Sequence, residues 1–304
     1  MGWIWALLRQ TYADWSEDRA ARLAAALAYY TTFSIAPLLV VLIAIAGLLF
    51  GTEAVRGELD DQIRGLLGAD AAKAVQDMVQ SASTHESSGI VATVFSVVAL
   101  LLGATGVFAE LQDSLNTIWD VQPRPGRGWR GMISDRLLSF GMLLAIAFLL
   151  AVSLVVSATI AGIGSFVGGL VGALEPVWHF ADAVVSIGIL TLLFAAIFKW
   201  LPDVEIAWRD VWIGAAATSV LFTIGKVLLG LYLGRSSTVS VYGAAGSLVV
   251  LLIWVYYSAQ ILFFGAELTQ VYANQHGTRV RPSPNAEPAP EARRPRVRTE
   301  RVAH

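Results

Sequence analysis

The residues of this sequence whose type and setting could do chemistry are polar groups embedded in long apolar runs. Lys226 is the one basic residue well inside such a run, and an unpaired charge at the centre of a bilayer costs about 2.5–3.5 kcal/mol on insertion scales. Counting about 1.5 Å per residue from Trp212 places it roughly 21 Å along a helix, in the outer half of a membrane. There it either snorkels to the outer headgroups or pairs with Asp182, Glu175 or an anionic group on a substrate. In another run, Tyr29, Tyr30, Thr31, Thr32, Phe33 and Ser34 lead into Pro37. A proline in mid-helix removes a backbone hydrogen bond, and neighbouring hydroxyls suit the carbonyls it leaves open. Broken helices of this kind line transporter sites and also occur as plain structural kinks. The last run carries Tyr242, Gly243, Gly246 and Ser247, then Trp254, Tyr256, Tyr257, Ser258 and Gln260. Its glycines permit close helix approach, and Gln260 needs a partner or a wet cavity. The expected site is a polar pathway or substrate-binding lining made by Tyr29, Thr32, Ser34, Pro37, Lys226, Tyr257 and Gln260. A second group, Glu110, Asp113 and Glu267 with Arg136 and Arg209, falls at the inner ends of its runs. It reads either as a salt-bridge network or as a gate that opens by breaking one.

Catalytic constellations are missing. The chain has no cysteine, which removes disulfides, thiolate metal sites and cysteine nucleophiles. His85, His179, His276 and His304 fall in separate expected loops, without the spacing of a zinc site or of a nucleophile with its base. No glycine loop of the phosphate-cradling type is present, so ATP-driven pumping by this chain alone is excluded. No catalytic residue, metal or cofactor is expected, and the chain is not read as an enzyme.

The elements that must position these groups are legible from composition. Of 304 residues, 56% are apolar and 14% charged, and the mean hydropathy is +0.63, against about 25% charged in soluble proteins. Six apolar runs approach or exceed the length of about 20 residues that crosses a hydrocarbon core: Ala24 to Phe50, Gly89 to Ala109, Leu137 to Gly162, Ala183 to Trp200, Val211 to Leu233 and Ala244 to Tyr272. The glycine-rich stretch Gly162 to Gly172 is too short for another span. The expected fold is all-α, a polytopic membrane protein with six transmembrane helices in a membrane domain over residues 24–273. Lysine and arginine are retained on the cytoplasmic side; sixteen fall in the segments that share a side with the two termini and four on the opposite side. Both termini are thus expected in the cytoplasm. Arginine outnumbers lysine 18 to 3, a usage typical of GC-rich bacterial genomes, and a bacterial plasma membrane is expected. Met1 to Tyr12 lacks the features of a cleavable signal peptide.

Three flanking segments complete the layout. In residues 1–23, Trp3, Ile4, Leu7 and Leu8 recur at helical spacing beside Arg9, which suits a helix lying in the interface. Residues 52–88 hold two helical patterns, Val55, Leu59, Ile63 and Leu66, then Ala71, Ala74, Val75 and Met78, with Asp70 as N-cap, and so form an outer helical cap. Residues 274–304 are rich in proline and arginine, have little to bury and are expected to be disordered, with attraction to anionic lipid.

Four stretches carry a resemblance: Ala25 to Pro37 (AALAYYTTFSIAP), Leu111 to Trp119 (LQDSLNTIW), Leu201 to Gly214 (LPDVEIAWRDVWIG), and Tyr242 to Ala273 with YGAAGS, WVYYSAQI and GAELTQVYA. With these, in order from Ala20 to Ala273, the chain resembles the YihY/virulence factor BrkB family of bacterial inner-membrane proteins, formerly labelled ribonuclease BN. The proline- and arginine-rich tail and the details of the cap fall outside the resemblance. It implies six spans and a plasma-membrane location, with members described as transporters or envelope factors, some linked to moving lipid or lipopolysaccharide components. It supplies no catalytic residues, and the ribonuclease label suits these residues badly, because nothing here could place a metal or general base on RNA. Two functions from different classes are expected: a transporter or flippase-like lipid carrier of envelope components, and a non-transporting envelope scaffold whose cap and tail recruit partners. Membrane lipids are the expected partners, with an anionic lipid or envelope precursor as substrate and no nucleic acid.

Overall fold

The computed structural model describes residues 2–67, 69–83, 90–125, 175–235 and 246–290, with Gly141. The expected third span, Leu137 to Gly162, otherwise lies outside the described residues, as do Arg136 and residues 291–304. The first sixteen described residues form α1, Gly2–Glu17. It ends where Arg19 takes a left-handed conformation (φ 52°, ψ 41°), and α2, Ala20–Phe50, then runs for 31 residues and continues through Pro37. Gly51, at φ 86°, stops it, with its N–H donated to the Gly47 carbonyl over 2.9 Å; a side chain at that angle would be strained. The cap follows as α3, Thr52–Leu67, and α4, Ala69–Ser83. Asp70 falls inside the first turn of α4, not at its N-cap.

The helix α5, Ile90–Ile118, continues beyond its apolar start, because Leu111, Leu115 and Ile118 form a buried stripe at helical spacing. After β1, Val121–Pro123, the described chain resumes with α6, Glu175–Trp200, β2, Val204–Glu205, α7, Trp208–Arg235, and α8, Gly246–Gln275. Among the described residues three segments are long and apolar enough to cross a membrane, Ala20–Ala44, Trp208–Leu229 and Leu248–Gln275, and Val184–Trp200 is a shorter apolar helix.

Two antiparallel pairs organise these helices. On α2 and α5, a Cβ placed on Gly106 would lie 3.3 Å from Ser34 Oγ, and one on Gly103 3.0 Å from Pro37 Cγ. On α7 and α8 the fit is reciprocal. Gly214 faces Thr269 and Gly265 faces Thr218, so each threonine fills the gap the opposite glycine leaves. Each hydroxyl donates to the carbonyl of the glycine four residues earlier in its own helix, Thr218 to Gly214 over 2.7 Å and Thr269 to Gly265 over 2.6 Å. Small residues that let helix backbones approach are the usual means of association where lipid removes the hydrophobic drive between helices.

One end of the helix layer gathers the start of α2 and the ends of α5, α6 and α8, and there the main core is built from Leu115, Ile118, Phe198, Leu201, Val211 and Phe263 among others. The chain after α8 returns across this end as β3, Arg281–Pro282, and β4, Ala286–Pro288. Antiparallel ladders join β1 to β4, with Val121 opposite Pro288, and β2 to β3, with Val204 opposite Pro282. This corrects the expectation of disorder for residues 276–290. Their composition offers little to bury locally, but pairing with loops more than seventy residues away in sequence buries Ala286 to 1% exposure. The α1 helix packs at the same end, Leu7 against Leu268 and Val271, with the Trp3 ring 5.8 Å from that of His276.

Candidate functional site

The expected polar lining is distributed by helix geometry. Residues of α2 three or four apart share a face, so Tyr29 lies beside Thr32 and Tyr30 beside Ser34, yet Thr32 and Ser34 are buried while Tyr29, Tyr30 and Phe33 are exposed. The Tyr29 ring lies 4.9 Å from that of Phe33 and edge-on to Tyr30. Thr32 donates to the Ala28 carbonyl over 2.8 Å, so it is not spent on the Phe33 carbonyl that Pro37 leaves open. Ser34 and Pro37 instead meet the glycine face of α5, and α2 meets α8 through Leu39 and Leu42 against Leu251. On α7, Lys226 is exposed, as are Ile224, Val227 and Leu228. Its neighbour Gly225 receives the Tyr257 ring and Ile261 of α8, and Gln260, one turn on, is half-buried. The structure therefore brings Ser34 and Pro37 to α5 and Tyr257 to α7, and leaves Tyr29 and Lys226 on outward faces.

At the end of the helix layer where α1 packs, Glu267 is fully buried, Glu110 is half-buried, and Asp113 and Arg209 are exposed. Arg136 lies outside the described residues. Around them is a polar construction that has no local sequence signature. Asn116 donates to Asp203 Oδ2 over 3.0 Å and accepts the Asp203 N–H over 2.8 Å, which clamps the end of α5 to the α6–α7 loop. Gln270 of α8 donates to Asp120 over 3.1 Å. Asp210, buried to 1% at the start of α7, accepts both the backbone N–H and the hydroxyl of Thr278 over 2.9 Å. A side chain at Gly277 would collide with that carboxylate, its Cβ 2.4 Å from Oδ2. Lys199 donates to the Ile206 carbonyl over 2.6 Å and sits over the Trp208 ring. Higher in the layer Thr191 and Ser219 share a buried hydrogen bond of 2.8 Å between α6 and α7. His276, the histidine with a described ring, stacks on Tyr272.

Asn116 and Asp120 also line a cavity of about 1440 Å³. Its walls are the polar side of α1 with Gln10, Ala13 and Asp14, the end of α5 with Asp113 and Asn116, β1, and the returning chain at Ala289 and Pro290. Asp14 is buried to 4% and accepts from Gln10 over 2.8 Å. A space of this size with mixed polar and apolar walls is fitted to admit a polar group together with part of an apolar one. Among the described residues no cluster of histidine and carboxylate side chains could hold a metal ion.

The family model of the virulence factor BrkB matches residues 11–290, from within α1 to the end of the returning strap. The chain belongs to the BrkB family. Its match includes the strap, which the sequence motifs alone had left outside. Curated relatives are named UPF0761 membrane proteins. One from Verminephrobacter eiseniae is 29% identical over 87% of this chain and 62% of its own length. One from Rhodospirillum centenum is 32% identical over 84% and 54%, and one from Pseudomonas aeruginosa is 29% identical over 83% and 59%. The chain thus spans little more than half the length of these relatives. No solved structure matches it. With its apolar helices, membership makes it a multi-pass bacterial membrane protein.

Proposed function

We propose that this BrkB-family chain crosses the membrane six times, through α2, α5, the run Leu137 to Gly162, α6, α7 and α8, with both ends cytoplasmic, and that it is a carrier of amphiphilic envelope components and not an enzyme. The observation that carries the reading is the inner-end cavity of about 1440 Å³, larger than the roughly 300–1,000 Å³ of ordinary small-molecule pockets. Elsewhere in the helix layer hydroxyls are buried at Thr32, Ser34, Thr191 and Ser219. Tryptophans exposed at the same end, Trp3 and Trp5 on α1 and Trp200, Trp208 and Trp212 on α6 and α7, support placing that end at a membrane–water interface, since indole rings favour the headgroup level, and the lysine and arginine bias supports the cytoplasmic side. In α1 the usual pattern is inverted, with Thr11 and Asp14 buried and Trp5, Leu8 and Tyr12 exposed, which suits a helix whose outer face meets lipid. Lys226 is read as a snorkelling residue on a lipid-facing row. The scaffold reading is weaker because residues 276–290, half of the tail it would use, are committed to the fold.

The test is translocation of fluorescent phospholipid by the purified chain in liposomes, with Gln260→Leu and Lys226→Met beside it. The carrier reading expects translocation that Gln260→Leu abolishes and Lys226→Met preserves. Activity absent from the unsubstituted protein for every amphiphile tried would reject it.

A further inference from the structure

At the far end of α2 from the inner cavity, a second pocket of about 590 Å³ lies between α2 and the cap helices α3 and α4. Leu39 and Ile43 are fifteen and nineteen residues beyond Ala24, where the apolar run begins, about 23 and about 29 Å along the helix at about 1.5 Å per residue, and so in the outer part of a hydrocarbon core about 30 Å thick. The pocket's walls are apolar: Leu39 and Ile43 from α2, Leu59 and Ile63 from α3, and Val75 and Val79 from α4. Its rim is polar and belongs to the cap. Asp60 is already engaged by Arg64 at 2.7 Å and by the amide of Gln76. Arg56, one turn before it, is exposed at the rim and makes no ion pair among the described residues. A site of about 300–1,000 Å³ with apolar walls and a few placed polar groups is the usual form of a ligand pocket, and Arg56 is the cationic group on this rim.

We propose that this pocket binds one acyl chain of an anionic lipid of the outer leaflet, with the lipid phosphate on Arg56. Depth accounts for the apolar walls, since a chain in the outer leaflet reaches Leu39 and Ile43 without leaving hydrocarbon. Charge accounts for the headgroup, because guanidinium matches phosphate oxygens in a planar fork. Binding here does not require transport, and only its assignment to the outer leaflet rests on the topology proposed above.

The absence of cysteine allows a single reporter. Gln80, exposed on the rim, is replaced in Gln80→Cys and labelled with a small fluorophore in the full chain. Phosphatidylglycerol bearing a chain spin label is then titrated as quencher against phosphatidylcholine with the same chains. The expected result is half-quenching at several-fold less phosphatidylglycerol than phosphatidylcholine. Arg56→Glu should weaken the phosphatidylglycerol response roughly tenfold and leave phosphatidylcholine unchanged, and Ile63→Trp should reduce both by filling the pocket. Equal quenching by the two lipids in the parent protein, or a phosphatidylglycerol response indifferent to Arg56→Glu, overturns the proposal. Arg56 is exposed, so this charge comparison holds even if Ile63→Trp does not fold.

Discussion

Gly214→Ala should destabilise the helix layer through one defined collision. The added Cβ would lie 1.7 Å from Thr269 Oγ1 and 2.7 Å from Thr269 Cβ, well inside the ~3.5–4.0 Å of a normal carbon contact. Thr269 cannot turn aside freely, because its hydroxyl is bonded at 2.6 Å to the Gly265 carbonyl. Losing that bond costs about 1 kcal/mol net and overpacking about 1–3 kcal/mol. At about 2–4 °C per kcal/mol for proteins of about 150–250 residues, the melting temperature in a fixed detergent should fall by roughly 5–15 °C. Thr269→Gly removes the obstructing side chain at a helix-propensity cost of about 1 kcal/mol. The double variant Gly214→Ala with Thr269→Gly should therefore be more stable than the sum of the singles predicts, by about 1–3 kcal/mol of coupling. The assay is thermal unfolding of all four proteins followed by loss of the monodisperse peak. A Gly214→Ala protein that melts with the parent, or a double variant showing simple additivity, would refute the interlock.

Truncation after Pro290 should leave stability unchanged, whereas truncation after Gln275 removes both ladders and the buried Ala286 and should lower the melting temperature or prevent purification of folded protein. Asp210→Ala deletes the acceptor of two Thr278 bonds and should cost about 1–3 kcal/mol, read by the same melts and by faster proteolysis after Ala273. Asn116→Leu removes both of its bonds with Asp203 and should cost a similar ~1–3 kcal/mol, while the exposed Lys226→Met should stay within about 0.5 kcal/mol of the parent. A Lys226→Met protein that is strongly destabilised would instead mean that the amine has a buried partner.

Long-range periodicity made the helices legible. Apolar runs announced α2, α6, α7 and α8, and two short apolar stripes announced the cap, because each signal lies within one element. Helix ends were less legible: α5 extends to Ile118 on a stripe of leucine and isoleucine that hydropathy averages away among Gln112, Asp113 and Asn116. The candidate site was read as a lining from residue types, but type does not fix the face. Tyr29 and Thr32 are three residues apart on α2, yet one is exposed and the other buried, since the neighbouring helices meet only part of that arc. The strap was illegible for a different reason. Arg281, Pro282 and Ala286 gain their structure from partners at Val204, Glu205 and Val121 to Pro123, and no local pattern encodes pairing across such separations. The clamp of Asn116 with Asp203 is the same case, as is Asp210 with Thr278.

The carrier account rests on the inner cavity being the entrance, and the cysteine-free chain permits a direct test. Ala13, exposed on the cavity wall, is replaced in Ala13→Cys, and phospholipid translocation in liposomes is measured before and after coupling a bulky maleimide. The account predicts full activity before coupling and loss of activity after it, with coupling to the cap variant Gln80→Cys having no effect on translocation. Translocation that continues unchanged with the cavity filled, or none from the uncoupled protein, would contradict it.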